Sequence, residues 1–174
     1  RLLAEKGLEN LLDAAAQMRQ SGCDVAIDII GDGPMKQVIR EAVDRDASGK
    51  LRLLESTAYG KPFFDVVATY DAVVVPSLSD EQPRIVFDAY SQAVPVIGSN
   101  TPGLLACVAP GDTGWLFQRG NVQSLCNTLA QVASSPGELQ VRGMKGLARA
   151  ASFTHEAMHK ARWRELVRVF PEAG

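Results

Sequence analysis

Residues 75–103 read VPSLSDEQPRIVFDAYSQAVPVIGSNTPG, and this stretch decides the fold. The β-branched run Val73–Val75 ends at Pro76, which predicts a short, buried parallel strand. A polar and acidic loop follows. Pro83 suits the first turn of a helix, because a missing backbone N–H costs nothing there. A second strand is predicted over residues 95–98, so the stretch reads as strand, loop, helix and strand.

This order of elements predicts a ligand site. In an open sheet of parallel strands, ligands bind where loops leave the carboxyl ends of strands and enter helices. The unpaired N–H groups of a helix N-terminus favour anions at that place. Two acids belong to it, Asp80 in the loop and Asp88 one turn inside the helix.

Size and composition indicate one soluble α/β domain. The chain has 174 residues, of which 46% are hydrophobic and 22% are charged, and a net charge of −2. That charge gives no electrostatic case for binding nucleic acid or an anionic membrane. No apolar run approaches the roughly 20 residues that a membrane-spanning helix needs.

The three cysteines are predicted to be free core thiols. Cys23, Cys107 and Cys126 are odd in number, far apart and without a C-x-x-C spacing, so they indicate neither a disulfide framework nor a zinc knuckle. We therefore expect a reducing, cytoplasmic compartment.

Strands and helices alternate along the rest of the chain, which predicts a single Rossmann-like, three-layer domain with a parallel sheet over residues 1–174. The apolar spacing predicts helices over 7–20, 35–43, 63–70, 122–132 and 139–151, and a last helix over about 154–170 with Thr154 as N-cap. Strands are predicted over 25–30, 51–54 and 114–117.

The acidic stretch resembles the signature of the retaining GT-B glycosyltransferases of group 1, or family four. Their pattern is E-G-x-P-x-x-x-x-E-A, and Asp80, Pro83, Asp88 and Ala89 fall on its two acids, its proline and its alanine. Both acids are Asp here, so each carboxylate is one methylene shorter. The resemblance implies the C-terminal, donor-binding half of a GT-B fold, with Asp88 on the ribose hydroxyls and Asp80 on the transferred sugar.

The opening segment RLLAEKG resembles a second family motif, G-R-L-x-x-x-K-G. Arg1 and Lys6 fall on its basic pair. By resemblance they grip the donor's diphosphate and, with Asp80, form the catalytic set. Arg1 stands where a natural start would carry Met, so we expect one strand and an N-terminal domain upstream.

Further donor contacts are expected from the resemblance at Gly31, Gly33, Tyr59, Pro83 and Arg84. The G-x-G-P turn at 31–34 reads mainly as turn chemistry, and it lacks the third glycine of a dinucleotide fingerprint. Tyr59 is either a base contact or a half-exposed loop aromatic. Arg84 either reaches a phosphate or pairs with Asp88 four residues on, and we favour the pair.

Of two further segments, one departs from the family's pattern and the other matches it. The family often carries G-G-x-P-E after the strand at 95–98, but Ala106 stands at the position of its acid. Residues 111–117 match the family's D-G-x-T-G-x-L-V turn and strand, for which we expect a structural role.

A metalloprotease-like motif competes at the C-terminal end. Residues 155–159 read HEAMH, the H-E-x-x-H spacing that binds zinc on a helix. The chain has only these two histidines. Glu165 lies two turns along the same helix, and Glu172 is the only other acid downstream, so a tetrahedral site would close poorly. We predict no metal site and no cofactor.

The resemblance thus implies a glycosyltransferase that moves a sugar from a UDP-, GDP- or ADP-hexose to a sugar, lipid or glycan acceptor. The acceptor would bind mainly to the upstream domain, toward which the last helix would pack. That domain could also attach the enzyme peripherally to a membrane, and this chain alone would not turn over. A non-catalytic or degenerate nucleotide-binding module and a GT-B nucleotide-sugar epimerase remain as alternatives.

Overall fold

Helices and strands alternate along the chain in a computed structural model that describes residues 1–23, 25–80, 83–153 and 155–170. Its strands are β1 (Ile27–Ile30), β2 (Leu51–Leu54), β3 (Val73–Val75), β4 (Val96–Ser99) and β5 (Gly114–Phe117). Its helices are α1 (Leu8–Gln20), α2 (Lys36–Arg45), α3 (Lys61–Val67), α4 (Ile85–Tyr90), α5 (Pro102–Cys107), α6 (Val122–Ala133), α7 (Pro136–Ala151) and α8 (His155–Val169), preceded by a 3₁₀ turn at Ala4–Lys6.

The strands form two parallel sheets instead of a single one. β1 pairs with β2, and β3, β4 and β5 pair in that order. The opening segment bridges the two sheets at their carboxyl edge, because Leu2 N–H donates to the Asp32 carbonyl at 2.9 Å and the Glu5 carbonyl accepts from Leu78 N–H at 2.8 Å. Asp32 follows β1 and Leu78 follows β3.

Two apolar clusters give the three-layer architecture that the sequence predicts. One cluster spans both sheets and the helices α1, α2 and α6, with Ile29, Ile97 and Leu125 among its buried members. The other lies on the opposite face, under α4 and α5, and includes Val96. Adjacent residues of β4 point to opposite clusters, as the two-residue period of a strand requires.

Several sequence-based bounds need correction. β1 begins at Ile27 instead of residue 25, and α3 begins at Lys61 instead of Phe63. Helix α5 was not expected, although Thr101 caps it by accepting from Leu104 N–H, and Pro102 opens it. A Thr-Pro pair is an ordinary helix-start signal, so the signal was present.

The cysteines and the last helix were both predicted from the sequence. Cys23, Cys107 and Cys126 are free thiols, and the last two are buried. Helix α8 is observed, but its expected N-cap Thr154 lies outside the described residues. Trp163, Leu166 and Val169 in its C-terminal half, and Phe170 just after it, are more than half exposed. Within the described ranges, no helix has the length and apolarity required to cross a bilayer.

Candidate functional site

The opening segment lies directly against the loop that follows β3. A Cβ atom on Gly7 would lie 1.9 Å from the Pro76 carbonyl oxygen, and Gly7 has a φ of 69° that favours glycine. Only glycine therefore permits this approach. It brings the half-buried Lys6 to the loop that carries Asp80.

The G-x-G-P turn packs on the same segment from the other side. A Cβ on Gly33 would lie 2.6 Å from the Leu2 carbonyl oxygen, and one on Gly31 would lie 3.5 Å from the Leu2 side chain. Met35 N–H also donates to the Leu2 carbonyl at 3.1 Å. The close packing of Leu2 on this turn explains why glycine occupies both positions. Contact of Gly31 and Gly33 with a nucleotide stays a prediction.

Asp88 forms a compact cluster with two other predicted site residues. It is 9% exposed on α4, and its Oδ1 accepts a hydrogen bond from the Tyr59 hydroxyl at 2.9 Å. Arg84 Nε lies 3.7 Å from Asp88 Oδ2, which confirms the predicted pair. The Arg84 guanidinium also stacks over the Tyr59 ring, 4.4 Å from its centroid.

The same contacts shape the chemistry of Tyr59. Its hydrogen bond to Asp88, partial burial and the nearby carboxylate charge together raise the pKa of the phenol. The hydroxyl therefore remains a donor at neutral pH. The Tyr59 ring also packs on Phe63 and Phe64, with centroids 5.5 and 5.6 Å away. Tyr59 is still 57% exposed, so an aromatic side chain lies accessible beside a buried acid.

Local structure positions this acid. Pro83 precedes α4 and its carbonyl accepts from Val86 N–H at 3.1 Å, which starts the first turn. Asp88 then falls on the buried side of a helix that packs under β4. Pro83 therefore acts through the backbone in this structure.

Asp80 joins a different group. Its Oδ1 accepts from Arg119 Nη1 at 2.8 Å. The backbone N–H of Arg119 donates to Asn100 Oδ1 at 2.8 Å, and Asn100 N–H donates to the Phe117 carbonyl at 2.8 Å. Sequence reasoning missed Arg119, because three separate loops bring these residues together and no spacing along the chain reveals it.

Buried hydroxyls hold the loops after β3 and β4 in place. Ser99 Oγ donates to the Ser77 carbonyl at 2.6 Å, and the Ser77 and Ser79 hydroxyls lie 3.0 Å apart. Ser77 and Ser99 are 1% and 0% exposed. The loop that carries Asp80 thus starts from a fixed point.

The arrangement as a whole offers carboxylates for hydroxyl groups and cations for phosphates at the carboxyl edge of parallel strands. Lys6, Gly31 and Gly33 belong to one packed unit with the opening segment, whose first residue, Arg1, is exposed. Tyr59, Arg84 and Asp88 form a second unit, and Asp80 and Arg119 form a third. The backbone contacts of Glu5 with Leu78 join the first unit to the loop of the third.

Among the described side chains, no three His, Cys, Asp or Glu residues cluster as candidate metal ligands. The side chain of His155 lies outside the described part, so the prediction of no zinc at 155–159 stays a prediction.

A groove of about 570 Å³ between α1 and α2 lies away from the site, beside the loop that leads into β2.

Parallel strands with acids and a basic segment at their carboxyl edge agree with the class that the sequence resembles, the GT-B glycosyltransferases. A family model described as "Glycosyl transferases group 1" matches residues 1–135. The chain belongs to this family.

Curated relatives are similar over part of their length. The sulfoquinovosyl transferase SQD2 of Arabidopsis thaliana is 27% identical over 126 residues, which cover 71% of this chain and 24% of that protein. The amylovoran biosynthesis glycosyltransferase AmsK of Erwinia amylovora is 26% identical over 178 residues, which cover 97% of this chain and 42% of that protein.

A solved structure has the same fold. HepE of Anabaena in complex with UDP superimposes with a TM-score of 0.80 at 21% identity, over 98% of this chain and 47% of that chain. The chain thus spans less than half the length of each of these three relatives.

Proposed function

We propose that this chain is the C-terminal, donor-binding domain of a retaining, metal-independent glycosyltransferase. One observation carries the proposal. The basic opening segment and the paired-acid stretch, some seventy residues apart, meet through the Leu78–Glu5 hydrogen bond of 2.8 Å and the Gly7–Pro76 approach. Two motifs that must act on one donor molecule therefore share one edge.

Asp88 is proposed to bind the donor's ribose. A carboxylate accepts from two vicinal hydroxyls at once, and each such charge-assisted bond contributes about 1.5–3 kcal/mol. Tyr59 Oη occupies one lone pair of Asp88 Oδ1 at 2.9 Å, which leaves the others for the ribose. The exposed Tyr59 ring would stack on the base, with Arg84 against the ring and Pro83 at the start of the helix.

Arg1 and Lys6 are proposed to stabilise the negative charge that grows on the leaving diphosphate. A guanidinium forks onto phosphate oxygens, and an ammonium adds a compact charge. These protein cations would replace the divalent ion that other transferases use, so the reaction would need no metal. Gly31 and Gly33 would lie beside the same phosphates. Their own N–H groups already donate to the Leu54 carbonyl at 3.3 Å and to Asp32 Oδ1 at 2.9 Å.

The relatives support the proposal and set its limits. HepE was solved with UDP, so UDP is the first nucleotide to test. Because the chain spans less than half of HepE, the acceptor is proposed to bind to an upstream domain on which the exposed face of α8 would pack. The chain by itself would then bind donor without turnover, in the cytoplasm or at a membrane surface through that domain.

Calorimetric titration of this chain with UDP, GDP and ADP tests the proposal. We expect one nucleotide to bind and its affinity to be unchanged by EDTA. Asp88→Ala and Lys6→Ala should each weaken binding at least tenfold, which corresponds to about 1.4 kcal/mol.

Matched controls are available in Lys145→Ala and Asp112→Ala. These residues form an exposed ion pair of 2.9 Å remote from the carboxyl edge, and neither change should alter the affinity. Absence of binding by a folded chain would point to a degenerate or non-transferase domain. Equal weakening by the control variants would refute the assigned roles.

A further inference from the structure

Arg119 is built into the carboxyl edge by several contacts. Its backbone follows β5 and is anchored to Asn100, which follows β4, by the 2.8 Å hydrogen bond. The neighbouring Gln118 N–H donates to Ser124 Oγ at 3.0 Å, and Asn121 caps α6. The turn that carries Arg119 is therefore held at both of its ends.

The side chain of Arg119 points toward Asp80 across the loops of three adjacent strands. Nη1 donates to Asp80 Oδ1 at 2.8 Å, while 49% of the Arg119 side chain and 64% of the Asp80 side chain remain exposed. This hydrogen bond ties the side chain of Arg119 to the acidic loop. A guanidinium has five N–H donors, and about half of the Arg119 side chain is exposed at this edge.

We propose that Arg119 is a specificity-determining residue of the donor site that positions Asp80 and donates hydrogen bonds to the transferred sugar. The inference rests on the proposed function, in which Asp80 accepts from the sugar's hydroxyls. A group that Asp80 binds must also lie close to the guanidinium bonded to Asp80. The Asp80 side chain reaches less far than a Glu would, and the bound Arg119 adds hydrogen-bond donors next to its carboxylate.

The pair also changes the charge that a sugar meets. Asp80 alone would present an anion that accepts hydrogen bonds. With Arg119 at 2.8 Å, the sugar meets an acceptor and a donor side by side with no net charge. Such a pair matches a hydroxylated ring, because each sugar hydroxyl both donates and accepts.

Calorimetric affinities of this chain for a nucleotide and for its sugar derivatives separate the contribution of the sugar from that of the nucleotide. The probes are UDP, UDP-glucose, UDP-galactose, UDP-N-acetylglucosamine and UDP-glucuronate, or the same sugars on GDP or ADP if that base binds. We expect the preferred sugar nucleotide to bind at least fivefold more tightly than the nucleotide alone. Arg119→Ala should abolish that gain and leave the nucleotide affinity within twofold.

Three further variants distinguish positioning from a general structural role. Arg119→Lys should retain part of the gain, since it keeps a cationic donor. Asp80→Ala should abolish the gain, and the double variant should lose no more than either single one. Arg168→Ala breaks the similarly exposed pair with Glu165 at 2.8 Å and should change neither affinity.

Thermal unfolding completes the test. An exposed ion pair contributes little to stability, so Arg119→Ala should shift the unfolding midpoint by less than about 4 °C. The inference is overturned if Arg119→Ala keeps the sugar gain, or if no sugar changes the wild-type affinity. Failure of every nucleotide to bind would overturn the proposed function, and this inference with it.

Discussion

Ala93 holds a backbone conformation that its side chain disfavours. Its φ is 56°, and among the described residues it is the non-glycine position with a positive φ. Ala93 N–H donates to the Tyr90 carbonyl and Val94 N–H to the Ala89 carbonyl, both at 3.0 Å. This pair of bonds is a Schellman motif, whose left-handed position is usually glycine.

Ala93→Gly should therefore stabilise the protein. Removing the Cβ abolishes a steric strain of about 1 kcal/mol in the left-handed conformation. The greater conformational entropy of glycine in the unfolded chain offsets part of this gain in stability. We expect the unfolding midpoint to rise by up to about 4 °C in thermal denaturation. Ala148→Gly, at an exposed position inside α7, is the control and should lower the midpoint. A decrease for Ala93→Gly would contradict this account.

At the residue scale, local contacts were predictable and long-range ones were not. The four-residue spacing predicts the pairing of Arg84 with Asp88, and the structure confirms it at 3.7 Å. The hydrogen bond from Tyr59 to Asp88 joins residues 29 positions apart. Arg119 reaches Asp80 across 39 positions. Such contacts depend on which strand ends meet, and a single sequence does not encode that in its periodicity.

Helix α7 packs through a face made of glycine. A Cβ on Gly143 would lie 1.9 Å from the Ala93 carbonyl oxygen, and one on Gly146 would lie 2.6 Å from the Tyr90 ring. These glycines let α7 lie directly against α4 and the turn after it. Tyr90 is fully buried there, and its hydroxyl lies 2.8 Å from Thr113 Oγ1. The helix that carries Asp88 thus rests on α7.

Gly143→Ala should therefore lower the free energy of unfolding, and Gly137→Ala should not. The first forces a methyl group onto a backbone carbonyl and should cost at least about 2–3 kcal/mol of unfolding free energy. A Cβ on Gly137 meets nothing within 4 Å, and alanine there should be neutral or stabilising by up to about 1 kcal/mol. Urea denaturation of both variants measures this. Similar stabilities would mean that α7 does not pack closely on the turn.

At the element scale, sequence patterns succeeded where an element was long or strongly periodic. The apolar spacing predicts α1, α2, α6 and α7 within a few residues of their observed ends. Helices α4 and α5 have only six residues each, too few to show a helical period. Helix α4 was predicted from Pro83 and the apolar residues after it, whereas the Thr-Pro signal of α5 was not read as a helix start. The number of sheets was also beyond sequence patterns, since pairing between strands is a long-range property.

A polar link joins the two sheets of the whole molecule. The Tyr70 hydroxyl, just before β3, donates to Asp28 Oδ2 on β1 at 2.8 Å. Asp28 also accepts from Arg52 Nε and Nη2 on β2, both at 2.7 Å. The Arg52 pairing lowers the pKa of Asp28 despite its burial. Burial and the bond to Asp28 raise the pKa of Tyr70 to about 12.

This link predicts an alkaline loss of stability. The unfolded phenol ionises near pH 10, and the folded one ionises near pH 12. The folded state therefore favours the neutral phenol, and its stabilising contribution is complete below pH 10 and lost as the pH rises toward 12. Thermal midpoints measured from pH 8 to 11 should fall less steeply for Tyr70→Phe than for the wild type. Parallel curves would exclude Tyr70 as the cause.

The approach of Gly7 to Pro76 has a consequence for protein engineering. Chimeras between related enzymes are commonly made by transplanting a single recognition loop. Here the loop that begins at Pro76 and the turn at Gly7 touch so closely that neither can change length or backbone path alone. An acidic loop taken from a relative should therefore be transplanted together with that relative's segment equivalent to residues 1–7. Exchange of only one of these two segments should yield a misfolded hybrid.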